Sequence, residues 1–269
     1  IKKNKQFSFF LLLVILLALI TIFAPVIAPQ DPYASDLKNA LQPPSSAHWF
    51  GTDKLGRDIF SRVIYASRSS LPATLILVVL IFAIGTLLGT LAGYFGGWID
   101  AVIMRISDMM ISFPGMILAI AVAGILGGSL INAIIALTIV TWTKYARLAR
   151  SMVLKIKKRD FVEAAIVNGG TSTHILWKHI LPNILPLMVI TAASDIGAMM
   201  MELAGLSFLG FGSQPPAPEW GLMLNEGRQQ LQTAPWLMIF PGLAIFVTVV
   251  IFNLWGDALR DVLDPRQEE

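Results

Sequence analysis

The sequence has 269 residues, of which 55% are hydrophobic and 14% are charged, with a formal net charge of +3 and no cysteine. A soluble domain carries about 25% charged residues, so the composition excludes an ordinary soluble protein and predicts a polytopic membrane protein. The lack of cysteine also excludes a disulfide framework, a thiol nucleophile and a thiolate metal site.

Six apolar runs are long enough to cross a bilayer, for which about 18 or more mostly apolar residues are needed. The first run follows Lys2, Lys3 and Lys5 and is longer than the apolar part of a typical signal peptide, so we expect it to be retained. The sequence therefore predicts an all-α protein with six transmembrane helices. The predicted spans are residues 7–27, 71–94, 101–123, 130–148, 184–208 and 235–254.

The positive charges predict the orientation of these spans. With the N-terminus in the cytoplasm, the segments on the cytoplasmic side are 1–6, 95–105, 144–183 and 255–269, and they hold 14 of the 20 Lys and Arg residues. Because Lys and Arg near span ends favour the cytoplasmic side, both termini are predicted to lie inside. The outside loops hold the other six, most of them in one long loop.

We divide the chain into three parts: a tail with the first span (1–28), an extracytoplasmic loop (29–70) and a core of five further spans (71–269). From Gly56 to Arg68, the loop is predicted to form an amphipathic helix resting on the outer leaflet. An alternative is that this helix helps to receive a protein partner on the outer side of the membrane. Its apolar residues are Ile59, Phe60, Val63 and Ile64, and its charged residues are Arg57, Asp58 and Arg62.

Three glycines of the second span predict a close helix contact. Gly85, Gly89 and Gly93 recur every four residues and so share one face without side chains. In a membrane, such a face lets two helix backbones approach closely. The spacing does not distinguish a partner helix of the same chain from one of another subunit.

The motifs of several enzyme classes are missing. No G-x-x-x-x-G-K-[ST] segment occurs, so the chain is not expected to bind ATP by that route. His48, His174 and His179 do not form a spaced ligand set, which gives no firm metal site. The chain is therefore not expected to be an enzyme or to bind a cofactor itself.

The polar segment 155–183 interrupts the apolar runs. Glu163, Ala164 and Ala165 lie in a predicted helix that Gly169 and Gly170 end. A second short helix, THILWKHI, should follow and be stopped by Pro182. The sequence thus predicts a helix–turn–helix on the cytoplasmic face that a soluble partner could contact.

This segment resembles the EAA loop of the permease subunits of ATP-binding-cassette importers, and we use that name for residues 155–183. Glu163, Ala164, Ala165, Gly169, Leu181 and Pro182 stand at the spacing of that motif, and His179 occupies a position that is usually Ile. The H-I-L-P-N form is similar to the peptide and nickel branch of the family. Segments 48–71, 105–115, 206–212, 215–224 and 256–266 also resemble blocks of that branch.

The resemblance implies a type I importer permease fold whose EAA loop, including Gly170, couples to an ATPase. It further implies a second permease subunit, two subunits that bind ATP and Mg²⁺, an extracytoplasmic binding protein and a place in the bacterial inner membrane. No nucleic acid is expected as a partner.

The expected substrate depends on polar residues inside the fifth span. Asp195 and Glu202 are seven residues apart on one helical face, with Met199 between them. They could guide a cation or a cationic chelate, pair with a cation of another subunit, or face water. The sequence resembles nickel permeases most, with dipeptide or oligopeptide import as the alternative. A secondary transporter or an ion channel is a distant alternative, because neither inverted repeats nor a filter-like ring is evident.

Overall fold

The computed structural model describes residues 2–263, and the side chains of residues 5–263. The side chains of Lys2 and Lys3, Arg266 and the end of the 256–266 block lie outside that range. The described part is helical and contains no strand, as predicted. Its α-helices are α1 (Lys2–Ile27), α2 (Ile59–Phe95), α3 (Gly97–Ile111), α4 (Gly115–Leu126), α5 (Leu130–Ile156), α6 (Asp160–Val167), α7 (Ser172–Ile175), α8 (Leu181–Phe208), α9 (Trp220–Gly227) and α10 (Trp236–Leu263).

Four helices of the described part are long and apolar enough to cross a membrane, or five if one bent pair counts as a single span. The four are α1, α2, the helical stretch that ends with α8, and α10. The predicted count of six is therefore not confirmed. The fourth predicted span lies in α5, whose threonines and basic residues Lys144 and Arg147 lower its hydropathy.

The third predicted span is broken. Helices α3 and α4 meet at a bend of 95° around residues 112–114. Pro114 precedes the first residue of α4, and a proline there cannot continue the hydrogen bonding of α3. Two arginines of α5 hold α3 in place: Arg150 binds both oxygens of Asp100 at 2.5 Å, and Arg147 donates to Asp108 at 2.5 Å.

The predicted amphipathic helix and the second span are one helix, α2. Asp58 caps its first turn by accepting the backbone N–H of Ser61 at 2.8 Å. The charged residues of the predicted amphipathic helix are enclosed by protein, since the side chains of Arg57 and Arg62 are 2% and 1% exposed. Ile59 and Val63 on the opposite face are buried as well, so this turn is enclosed by protein on both sides.

Two carboxylates neutralise the arginines, one close in the chain and one distant. Arg57 Nε donates to Asp53 Oδ2 at 2.6 Å, and Arg62 Nη2 donates to Glu226 Oε2 at 3.1 Å. Arg57 also reaches Glu226 at 3.2 Å, while Arg62 binds the carbonyl oxygen of Pro32 at 3.2 Å. We call Asp53, Arg57, Arg62 and Glu226 the ionic cluster. It connects the start of α2 with α9 and with the segment that follows α1.

Next to the cluster, Glu219 caps α9. Its carboxylate oxygens accept the backbone N–H groups of Gly221 at 2.9 Å and Leu222 at 2.8 Å. Burial raises the pKa of the Glu219 carboxyl, and these N–H bonds oppose that shift. Ser70 of α2 also donates to Glu219, at 3.2 Å, so this cap fixes α9 against α2.

The glycine face of α2 packs on α5 of the same chain. A Cβ added to Gly85 would meet Tyr145, one added to Gly89 would meet the Ala146 backbone, and one added to Gly93 would meet Val153. The two backbones therefore approach as closely as glycine allows. This contact places the Lys144–Arg150 part of α5 between α2, α3 and α8.

Candidate coupling loop and translocation cavity

The first half of the EAA loop is α6, which ends in a Schellman motif. The backbone N–H of Gly170 donates to the Ala165 carbonyl, and that of Gly169 donates to the Ile166 carbonyl, both at 3.0 Å. Gly169 has φ +78°, a left-handed conformation that favours glycine. The four-residue step from Ala165 to Gly169 in the EAA motif is thus the spacing that this helix end requires.

The second half differs from the sequence prediction. Thr171 caps α7, but Pro182 does not stop the helix: the chain runs through a π turn at Leu176–Ile180 into α8, and Ser172–Phe208 is one 37-residue helix. Proline removes one backbone donor and crowds the carbonyl one turn earlier. The π turn, in which the Leu181 N–H bonds to the Leu176 carbonyl, relieves that crowding by adding one residue to the turn.

The structure spreads the predicted coupling residues along an accessible surface. Glu163, Ala164, Gly169 and Pro182 are exposed, while Ala165, Gly170, His179 and Leu181 are half-buried. Buried Val162, Ile175 and Ile180 anchor the loop to the rest of the chain.

Large apolar side chains of the EAA loop are exposed beside Glu163, and our sequence reasoning missed them. Val167 is 86% exposed and Trp177 is 68% exposed. Phe161 and Ile166 are exposed too. The sequence could have indicated them, because apolar residues stand directly before Glu163 and directly after Ala165. An exposed apolar patch with a carboxylate beside it has the composition of a protein contact surface.

The predicted pathway residues Asp195, Met199 and Glu202 line one cavity of about 430 Å³, together with residues of α5 and of the bend between α3 and α4. Sequence reasoning missed the partners of Asp195. Lys144 Nζ donates to both Asp195 oxygens at 2.7 Å, and the Tyr145 hydroxyl donates to Oδ2 at 2.9 Å. The available signal was a lysine within the apolar run 130–148.

A second cavity of about 450 Å³ lies on another face of α8. Ser194, Asn253 and Asp257 are its polar lining residues. No group of three or more His, Asp or Glu side chains within the described residues is arranged to hold a metal ion.

Comparison with known proteins identifies the class to which this fold and loop belong. The family described as binding-protein-dependent transport system inner membrane component matches residues 85–269, and the N-terminal TM domain of oligopeptide transport permease C matches residues 1–44. The chain belongs to the family of binding-protein-dependent transport permeases, in its peptide and nickel branch. No enzymatic family is indicated.

Relatives with several substrates are similar to this chain. The dipeptide transport system permease protein DppC of Alkalihalophilus pseudofirmus is 45% identical, over 100% of this chain and 88% of that protein. The nickel transport system permease protein NikC of Escherichia coli K12 is 44% identical, over 95% and 92%. The glutathione transport system permease protein GsiD of Escherichia coli O6:K15:H31 is 50% identical, over 95% and 84%.

A solved structure is similar in fold. A chain of the MetNI methionine ABC transporter in an inward-facing conformation matches with a TM-score of 0.61 and 21% identity, over 77% of this chain and 98% of that one. The fold is therefore that of a type I ABC importer permease.

Proposed function

We propose that this chain forms half of the translocation pathway of an ATP-driven importer, with a second homologous permease forming the other half. The observation that carries the proposal is the EAA loop, which exposes Glu163 and an apolar patch and continues as one helix into α8. Helix α8 in turn supplies Asp195, Met199 and Glu202 to the cavity of about 430 Å³ that it forms with α5.

The energy for transport would come from other subunits. Two ATPase subunits would bind ATP and Mg²⁺ and receive the EAA loop, and an extracytoplasmic binding protein would deliver the substrate. The Lys and Arg distribution supports a multi-pass protein of the bacterial plasma membrane with both termini and the EAA loop in the cytoplasm.

We propose a small peptide or a nickel chelate as the substrate. The dipeptide and glutathione permeases among the relatives support a peptide, and NikC supports nickel. A cavity that holds a Lys–Asp pair and a further carboxylate suits a substrate with charges of both signs. Affinities of the cognate binding protein for dipeptides and for nickel chelates would separate the two.

The coupling role is tested with Glu163→Arg in the complete importer reconstituted in liposomes. We expect the variant assembly to form but to lose the stimulation of ATP hydrolysis by substrate-loaded binding protein, because the charge of the exposed contact surface is reversed. Asp261→Arg, an equal charge reversal at an exposed position of α10, is the matched control and should keep the stimulation. Normal substrate-coupled uptake by Glu163→Arg would contradict the coupling role.

A further inference from the structure

We propose that the cavity between α5 and α8 recognises a zwitterionic peptide of two or three residues, with Glu202 binding its ammonium group and Lys144 its carboxylate. This inference rests on the proposed function, since it takes the cavity to be part of the translocation pathway. It adds the two side chains that would hold the ends of a peptide substrate.

The first observation is that the two carboxylates of the cavity differ in their hydrogen-bond partners. Asp195 accepts three hydrogen bonds, two from Lys144 and one from Tyr145. Glu202 is half-buried in the same cavity, and no side chain in the described part of the protein makes a hydrogen bond or ion pair with it. A partly desolvated carboxylate without a partner attracts a cationic group more strongly than one that is already paired.

The second step is the charge of the cavity. Lys144, Asp195 and Glu202 are its lining residues with ordinarily charged side chains. Their formal sum is one negative charge, and the carboxylate of Glu202 is the one that no cation pairs with, so it is the group that attracts the ammonium end of a ligand. A ligand carboxylate then has one cation available, Lys144, which is 61% exposed and can turn from Asp195 toward the ligand.

The third step is the distance between the two charged places. Asp195 and Glu202 are seven residues apart on α8, and seven residues span about 10 Å along a helix axis. Lys144 is bound to Asp195 and so lies at one end of this distance. An extended peptide gains about 3.3–3.6 Å per residue, so the ends of a dipeptide or tripeptide lie about 7–11 Å apart. The ammonium and carboxylate of a free amino acid are too close together to reach both sites.

The rest of the lining accommodates the body of such a ligand. Ile81, Phe113, Val140 and Met199 present apolar surface, and Thr141 supplies a hydroxyl. Methionine adapts to side chains of varied shape, which suits a site that must accept peptides of different sequence. A volume of about 430 Å³ lies within the usual range for small-molecule pockets.

The test uses the complete importer in liposomes, loaded with ATP and supplied with its binding protein and alanyl-alanine. Glu202→Gln keeps the shape of the side chain and removes its charge. We expect uptake of alanyl-alanine to fall about tenfold, while stimulation of ATP hydrolysis by the loaded binding protein stays within about twofold of the wild type. The matched control is Asp257→Asn, a residue of α10 that lines the second cavity, and this variant should keep wild-type uptake.

A binding measurement separates recognition from transport. A dipeptide with a diazirine side chain should cross-link to α8 in the wild-type complex, and the yield should fall about tenfold in Glu202→Gln and in Lys144→Gln. A derivative with an N-acetyl group should cross-link weakly to the wild type and equally weakly to Glu202→Gln, because the group that Glu202 binds is already gone.

Three results would overturn the proposal. Unchanged uptake or cross-linking in Glu202→Gln would show that Glu202 does not bind the ammonium group. If the wild type imports a nickel chelate but no peptide, the zwitterion site is wrong while the proposed ATP-driven import stands. If the wild type shows no ATP-driven uptake of either substrate, both the site and the proposed function fail.

Discussion

The ionic cluster and the Lys144–Asp195 pair place their cations in opposite surroundings. In the cluster, Arg57 and Arg62 are 2% and 1% exposed and share the carboxylates of Asp53 and Glu226. In the cavity, Lys144 is 61% exposed although it binds both oxygens of Asp195. A buried pair is costly to break, whereas an exposed pair contributes little to stability. The comparison therefore distinguishes charges that fix the fold from charges that are free to exchange partners.

The connections of the two regions agree with this distinction. The cluster joins the start of α2 to α9 and to the Pro32 carbonyl, three segments far apart in the chain. The cavity pair joins α5 to α8, the helix that continues from the EAA loop. The ionic cluster holds distant segments together. The Lys144–Asp195 pair lies between two helices that a transport cycle would have to move.

The largest effect is expected when the cluster loses its shared acid. Glu226→Ala removes the nearest carboxylate of buried Arg62 and leaves Asp53 as the one acid of the cluster for two buried arginines, so we expect the free energy of unfolding to fall by about 3–5 kcal/mol. Thermal unfolding of the purified assembly in detergent, followed by circular dichroism, measures the loss. An unchanged melting temperature would mean that the cluster does not stabilise the fold.

An intermediate effect is expected at the contact that positions α5. Gly89→Ala puts a Cβ against the Ala146 backbone, and we expect a loss of about 1–3 kcal/mol because this contact cannot open without shifting a helix. Gly242→Ala in α10 is the matched control, since its Cβ would meet only Leu224 Cδ2, at 3.9 Å. Equal melting temperatures for the two variants would contradict the close α2–α5 contact.

The smallest effect on stability is expected at the cavity pair. Lys144→Gln removes an exposed partner of Asp195 and leaves the Tyr145 bond in place, so the free energy of unfolding should change by no more than about 1 kcal/mol. The same unfolding experiment applies. A loss as large as that of Glu226→Ala would show that the two regions do not differ as we describe.

Local patterns were enough to predict part of this molecule. Runs of apolar residues predicted α1, the inner part of α2, α8 and α10, because a membrane span needs length and hydropathy alone. The end of α6 was also predicted, since the Schellman turn needs only Gly169 and Gly170 at the right step.

Features that depend on distant partners were not predicted. Arg62 has the pattern of a surface arginine until Glu226, 164 residues later, is placed beside it. Likewise, Lys144 meets Asp195 across 51 residues of chain. At Pro182, the usual rule for proline failed because the π turn before it relieves the crowding that would otherwise end the helix. For the cavity, the sequence indicated Asp195, Met199 and Glu202 but not Lys144 and Tyr145, the two α5 side chains that donate hydrogen bonds to Asp195.

The π turn before Pro182 has a mechanical consequence. Because Ser172–Phe208 is one helix of 37 residues, it is a stiff rod about 55 Å long. Glu202 stands about 45 Å along that rod from its first residue. A tilt of about 5° at the loop end, with no change of backbone conformation, would therefore move the Glu202 end sideways by about 4 Å. A small rotation at one end of this helix would thus become a displacement of several ångströms at the other.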